Sequence, residues 1–508
     1  MINLVYPNLF LFLYDLREGL GEDSQSLTEN QKDFAAKLPT NIRSSLFDRD
    51  SGFESECLKL LTNTFEDFTD SDKPFKGYYY PVRLNDTYGL LLGCSFKEDR
   101  TPHPVSCLAE FKAKINEKLN NQHPNIGQTW LIVTEMDNPN ISPEEVAKKC
   151  CQSLNIGLKW ERDFQGEGCF LGGSIFELSR YELRMDESTQ DAKPRTIQEI
   201  QENIHLIIAV MPSSDAAKKV VENFNTELLR LFCYRHKVFW AYAQSRYLKQ
   251  QLKKDYIVIN QLVENIYSQN LKQLRKTVVD AQNILPKYTI KLNYLNDQIR
   301  TIEINAINYS RRIGTISDRL NQIQTQNGQN PIAQILPILS WFQSATATSN
   351  PTSTNPTPLL SQIANWPYPY DLKFLAKFSE DVEKKYQLQV QKDYANLSPG
   401  SQLLQDLINS SRAITEIEQA ERDRNFQNTV GIIGAGLAVG SIVASIEIPT
   451  EKNDNFLNPP LDFAFSTLHI PCAWLPFAIK ITFSLSAALA AGVFTAILIW
   501  LGQPRLKK

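Results

Sequence analysis

Thr429, Ile433, Gly436, Gly440, Ala444 and Glu447 recur at steps of three or four residues, so a helix would carry all of them on one face. They span Val430–Ile446, an uncharged run rich in small residues, in which Gly436-Leu-Ala-Val-Gly440 has the GxxxG spacing that lets two helices approach closely. Two chemistries fit that face. One is plain helix–helix packing. The other is a pore wall in an oligomer, where glycines bare backbone carbonyls and Glu447 forms an acidic ring at the outer mouth, favouring cations. At the opposite mouth Asn425 and Asn428, with Gln427, would form a polar collar.

Two stretches near the N-terminal half could hold a ligand. Arg17 lies in the polar turn Asp15–Asp23, flanked by Gly19 and Gly21, and could grip an anion; a solvated turn is the alternative. Gly166 and Gly168 open a glycine-rich run reaching Gly172-Gly173-Ser174 that has the look of a phosphate cradle. That run sits between two strand patterns and lacks GxxxxGK[ST], which favours a hairpin or bulge turn. The five histidines (103, 123, 205, 236, 469) are scattered, with none three or four residues from another, so no structural zinc site is expected. The eight cysteines show no CxxC pair and read as reduced, mostly buried thiols. No nucleophile–base pair stands out, so an enzyme is not expected, and none of these patterns names a cofactor.

The elements that must position these residues follow from periodicity. A chain of 508 residues exceeds one core, and a net charge of −3 offers no basic excess for nucleic acid. Residues 1–212 alternate strand and helix patterns, which predicts an α/β or α+β sheet domain. Asn3–Tyr14 reads as a first strand rather than a secretory signal, having no basic start and no cleavage site. Gly77–Phe96 predicts a hairpin turning at Asn85-Asp86, Thr129–Thr134 a buried strand, and Phe170–Leu178 and His205–Met211 two more. Helical spacing marks Leu27–Leu38, Phe53–Leu61, Val105–Leu119 and Ser142–Leu154, the last introduced by Ser-Pro-Glu-Glu.

Residues 213–325 predict a long coiled-coil hairpin interrupted at Pro286. Leu292, Ile299, Ala306, Ile313 and Leu320 fall seven apart, as do Leu295, Ile302, Tyr309, Ile316 and Ile323, which is a two-position heptad seam. Residues 326–358 form a polar Pro/Ser/Thr/Asn-rich linker, and 359–427 form stalk helices with a stop at Ser398-Pro-Gly. The last helix, from Leu403, runs without proline into Val430–Ile446. Residues 428–508 then read as a transmembrane hairpin, its second span being Ile481–Leu501. Acidic residues dominate between the spans, and Arg505, Lys507 and Lys508 follow them. The positive-inside rule therefore puts both termini in the cytoplasm of a cell that carries the protein in its inner membrane.

This order resembles the CorA-type metal-ion transporters: a cytoplasmic α/β domain, long helices, a stalk that continues into the first span, and two C-terminal spans with a basic tail. Ser445-Ile446-Glu447-Ile448-Pro449 stands where that family carries Gly-Met-Asn, and the loop between spans is longer. The resemblance implies a homo-oligomer, pentameric in that family, with the first span lining a pore and cytoplasmic ligand binding controlling it. Divergent members also serve as membrane effectors beside nucleotide-signalling antiviral systems, which would make a small nucleotide the ligand. A non-conducting, membrane-anchored coiled-coil scaffold is the alternative from a different class.

Overall fold

The structure is a computed structural model that describes residues 2–19, 24–44, 46–47, 50, 56–63, 65–69, 74–97, 101–138, 140–184, 200–265, 271–326 and 371–420. Asn425, Asn428, Thr429, Ile433, Gly436, Gly440, Ala444 and Glu447, the linker and both apolar runs near the C-terminus lie outside these residues. Among the described residues no helix is long and apolar enough to cross a membrane.

A ten-stranded mixed sheet dominates the first part of the chain. Its strands are β1 (Asn3–Leu16), β2 (Leu58–Lys59), β3 (Glu66–Thr69), β4 (Phe75–Leu84), β5 (Thr87–Phe96), β6 (His103–Pro104), β7 (Gly127–Met136), β8 (Phe164–Phe170), β9 (Gly173–Leu183) and β10 (Gln201–Met211). The order is β2-β4-β5-β1-β7-β10-β9-β8, with β3 on β4 and β6 on β1. The pairing of β7 with β10 is parallel, while every other pairing is antiparallel. The helices between strands are α1 (Ser24–Ala35), α2 (Thr40–Arg43), α3 (Cys107–Lys118), α4 (Pro143–Leu154) and α5 (Trp160–Asp163).

The period-2 pattern of β1 sorts its side chains onto two cores. Leu9, Leu11 and Leu13 enter one core with Leu108 and Phe111 of α3 and Val146 and Cys150 of α4. Phe10, Phe12 and Tyr14 enter the other. Because both faces are covered, β1 reads as a continuous apolar run rather than an alternating one. Pro7 cannot donate to the ladder, and the strand absorbs it by a bulge between Val5 and Asn8 against β7, with Tyr6 at φ 52°.

The second core is closed by two long helices, α6 (Ser214–Asn265) and α7 (Leu271–Gln326). Phe224, Leu228 and Phe232 of α6 pack there with Tyr309, Ile316 and Leu320 of α7. The heptad seam is thus the buried stripe of α7, with Leu295 and Ile302 at 0% exposure as well. Part of that seam faces the core of its own chain. Beyond it come α8 (Lys373–Asp381), a π-helical turn (Val382–Gln387), α9 (Leu388–Leu397) and α10 (Pro399–Ala420).

The long helices do not divide as one block. One compact unit comprises Met1–Ser245 and Gln298–Gln389; the other comprises Arg246–Asp297 and, among the described residues, 390–420. In the second unit Asp393 accepts ion pairs from Arg246 and Lys249, and the Tyr288 hydroxyl donates to the Leu397 carbonyl at 2.5 Å.

Several local expectations hold. The hairpin of β4 and β5 turns at Asn85-Asp86, with Asn85 at φ 54°. The Ser142 hydroxyl caps α4 by accepting from the Glu145 N–H at 3.1 Å, with Pro143 at the first helical position. Two expectations are corrected. Leu58–Lys59, expected as helix, pairs with Arg83 and Val82 of β4, because an open sheet edge outweighs weak helical spacing. Pro286 lies inside α7 instead of dividing two helices. Proline costs a helix one hydrogen bond, and a helix of 56 residues carrying a continuous buried stripe absorbs that loss.

Candidate functional site

Five segments of the first unit converge on one cleft: the end of α5, β8, β9, the middle of α6 and the stretch from α8 through the π-turn. Its volume is about 310 Å³, within the range of about 300–1,000 Å³ typical of small-molecule pockets. The floor is Arg235, 2% exposed, and beside it lies Glu177, 4% exposed. Arg235 enters on α6, which is buried at every position from 231 to 239, and Glu177 lies on β9 on the same face as Ile175 and opposite to Phe176.

The two form a buried ion pair, Arg235 Nε standing 3.7 Å from Glu177 Oε1. Arg235 Nη2 donates to Ser179 Oγ, and the guanidinium lies 4.9 Å from the Phe239 ring centre and 5.2 Å from that of Phe378. Arg235 Nε and Nη1 are buried and have no hydrogen-bond partner. Half-buried Tyr181, Phe374, Phe378 and Tyr386 form the walls, with Lys377 exposed above. Tyr386 is delivered by the π-turn, the kind of irregular helix often found where a side chain must be re-aimed. It meets Phe239 edge-on with ring centres 5.4 Å apart.

Behind Glu177 runs a buried chain of hydrogen bonds through His205, Thr129 and His236 to Asn203, and the carboxylate of Glu177 at one end and the Asn203 amide at the other set its direction. Asn203 Nδ2 donates to His236 Nδ1 at 2.9 Å, so the proton of neutral His236 sits on Nε2. That N–H donates to Thr129 Oγ1 at 2.7 Å, leaving the Thr129 hydroxyl to donate to His205 Nδ1 at 2.8 Å. His205 Nε2–H then donates to Glu177 Oε1 at 3.1 Å. A Cβ on Gly127 would stand 2.5 Å from His236 Nδ1, so only glycine at the start of β7 admits this ring.

Burial sets the charges of the chain. It holds both imidazoles well below their ordinary pKa, and the Arg235 guanidinium pushes the same way. Burial raises the Glu177 carboxyl, with Arg235 and Lys377 opposing. Each histidine therefore takes up a proton on unfolding wherever pH lies below the ordinary imidazole value of about 6.5. Stability is complete above that value and falls as pH drops through it, by up to about 2.7 kcal/mol per pH unit for two protons. Glu177 has the opposite sign: its raised pKa costs stability at high pH, and that penalty eases as pH falls from the raised value toward the ordinary carboxylate range. Urea midpoints at pH 7.5, 6.5 and 5.5 should fall in that order, most steeply over the last step; a flat profile would exclude the assigned protonation.

Arg17 is committed elsewhere. Its Nε donates to Asp50 at 3.2 Å and its Nη1 to Glu18 at 2.8 Å. Asp50 also accepts from Tyr88 at 2.6 Å and from Arg83 at 3.0 Å. Burial pushes the Asp50 carboxyl up, but the Tyr88 hydroxyl and both guanidiniums outweigh it and hold its pKa below the ordinary range. Gly166 and Gly168 lie in β8, on the β8–β9 hairpin at the edge of the cleft. A Cβ on Gly168 would stand 1.9 Å from the Asp371 carbonyl oxygen. The absent side chain lets Cys169 and Asp371 exchange backbone hydrogen bonds of 3.1 and 2.8 Å, tying the α8 segment to the sheet.

Sequence reasoning passed over Glu177, His205, Arg235 and His236. Their signal was present as ionisable residues inside runs that otherwise read as buried. Among the described residues no group of His, Cys, Asp and Glu is arranged to hold a metal ion. The sequence matches no family model and no curated protein.

Proposed function

We propose that the chain is an oligomeric, membrane-anchored protein of CorA-like plan. In this reading the sheet unit senses a small ligand, and α10 relays the event to a pore or a membrane-perturbing span built from Val430–Ile446. The observation that carries it is the cleft lined by Arg235, a buried guanidinium two of whose nitrogens have no hydrogen-bond partner. The cleft walls belong to the stretch from α8 through the π-turn, which precedes α9 and α10 in the chain. Ordering of these walls by a ligand is therefore read by the helix that leads to the apolar run. A divergent ion channel or a nucleotide-signalled antiviral effector in the inner membrane, with both termini cytoplasmic, are the two forms of this reading.

A non-conducting scaffold would need the heptad seam free to recruit a partner. Tyr309 and Ile316, each 1% exposed, spend that seam on their own core, which weighs against it.

Reconstitution into liposomes tests the proposal. Candidate nucleotides should elicit cation flux, Gly436→Leu should cut it at least tenfold, and Glu447→Gln should weaken cation preference. Absence of flux with every nucleotide, together with a monomer by mass measurement, would defeat the reading.

A further inference from the structure

The polar atoms of the cleft are unbalanced in one direction. Among its described lining residues, the buried side-chain atoms without a hydrogen-bond partner are Arg180 Nε, Arg235 Nε and Arg235 Nη1. All three are donors, and no buried acceptor of the lining is among the unpartnered atoms, although Asp163, Glu177, Glu182 and Asp381 also line the cleft. A buried donor without an acceptor costs about 1–3 kcal/mol, a cost that a ligand acceptor would remove. Glu177 does not supply the missing acceptor in this arrangement, since Arg235 Nε stands 3.7 Å from its Oε1, beyond hydrogen-bond reach. Charge-assisted bonds from guanidinium to carboxylate or phosphate are the strong ones, and Arg is the side chain suited to planar, two-point recognition of such groups.

The walls add a second constraint. Tyr181, Phe374, Phe378 and Tyr386 all keep part of their ring surface open to the cleft. A bare inorganic anion would leave that surface wet, whereas a flat ring would cover it by offset or edge-on contact worth about 0.5–1.5 kcal/mol per aromatic pair beyond area burial. The volume of about 310 Å³ admits a ring-bearing anion up to about the size of a nucleoside monophosphate.

From these two features, which rest on the sensing role proposed above, we infer that the ligand is a flat aromatic ring bearing a carboxylate or phosphate. The anion pairs with the guanidiniums of Arg235 and Arg180, and the ring lies against Phe374, Phe378 and Tyr386. Lys377, exposed at the rim, steers the anion in.

Calorimetric titration of the full-length protein in detergent, with adenosine monophosphate, indole-3-carboxylate, adenosine and inorganic phosphate as probes, decides this. At least one ring-bearing anion should bind tenfold or more tightly than inorganic phosphate, and adenosine should bind tenfold or more weakly than its monophosphate. Which of the two ring anions binds separates a phosphate from a carboxylate ligand. Arg235→Gln should weaken the binding anion at least tenfold, while Phe374→Ala should erase the preference for a ring and leave phosphate binding unchanged. If Arg235→Gln fails to fold, Lys377→Gln at the exposed rim replaces it, with an expected loss of about threefold that disappears at high salt. Equal binding of phosphate and both ring anions, no binding of either ring anion, or no effect of these variants overturns the inference. Binding without flux in liposomes would leave it standing and defeat the channel reading; flux elicited by some other nucleotide, without ring-anion binding here, would do the reverse.

Discussion

Replacing Glu177 with leucine should cost the fold about 3–5 kcal/mol, the usual penalty for leaving one member of a buried ion pair alone. Arg235 would keep its charge at 2% exposure with no anion beside it, since guanidinium does not give up its proton in proteins. His205 Nε2–H, which donates to Glu177 at 3.1 Å, would lose its acceptor in the same step. The reverse substitution, Arg235→Met, should be milder. A stranded Glu177 can neutralise itself by taking a proton, and burial already pushes its carboxyl toward that state. The pair Glu177→Leu/Arg235→Met should recover most of the loss, because a packed apolar pair of similar volume is often as stable as a buried ion pair. Urea unfolding of the four proteins closes the cycle. An unchanged Glu177→Leu midpoint, or a double variant no better than that single one, would show that the ion pair is not what holds this core.

Thr129→Val should rank second, at about 2–6 kcal/mol. Valine keeps the shape and removes the one atom that His205 and His236 share, at 2.8 and 2.7 Å. An acceptor on one ring and a donor on the other would be left buried and unmet, at about 1–3 kcal/mol each. Thr129→Ser, which keeps the hydroxyl, should lie within about 1–1.5 kcal/mol of the parent, the cost of losing one buried methyl. If valine and serine are equally costly, packing rather than hydrogen bonding explains the position. Thr129→Val should leave the acid dependence below pH 6.5 in place, because burial and the Arg235 charge, not Thr129, hold both imidazoles neutral.

The sheet was more legible in the sequence than the site. Gly77–Phe96 announced its hairpin because a turn residue that tolerates positive φ, Asn85, falls between two apolar runs of equal length. The cap of α4 was readable because Ser142-Pro-Glu-Glu is a local signal whose partners lie within three residues. The α7 seam was readable because a buried helical stripe writes its period directly into the chain. None of this applies to the cleft. Thr129, Glu177, His205 and Arg235 come from β7, β9, β10 and α6, and only the sheet order β7-β10-β9 with α6 across it makes them neighbours. The scattered histidines gave no local spacing, yet the rings of His205 and His236 have centres 6.0 Å apart. Arg17 misled for the mirror reason. Its loop has the residue types of an anion grip, but its counter-charge, Asp50, is far along the chain.

The first unit is assembled from two stretches, Met1–Ser245 and Gln298–Gln389, and this sets a timetable for synthesis. A ribosome delivers every strand of the sheet by Met211, but Tyr309, Ile316 and Leu320, which seal its second face, emerge roughly a hundred residues later. At about 5–20 residues per second the nascent sheet waits several seconds with Phe10, Phe12 and Tyr80 incompletely covered. A fragment ending near residue 212, the natural cut by pattern alone, would keep that face bare indefinitely and be prone to aggregate. Whatever shelters the nascent sheet must stay until Gln389 is made, and little chain then remains before the apolar run at Val430 follows.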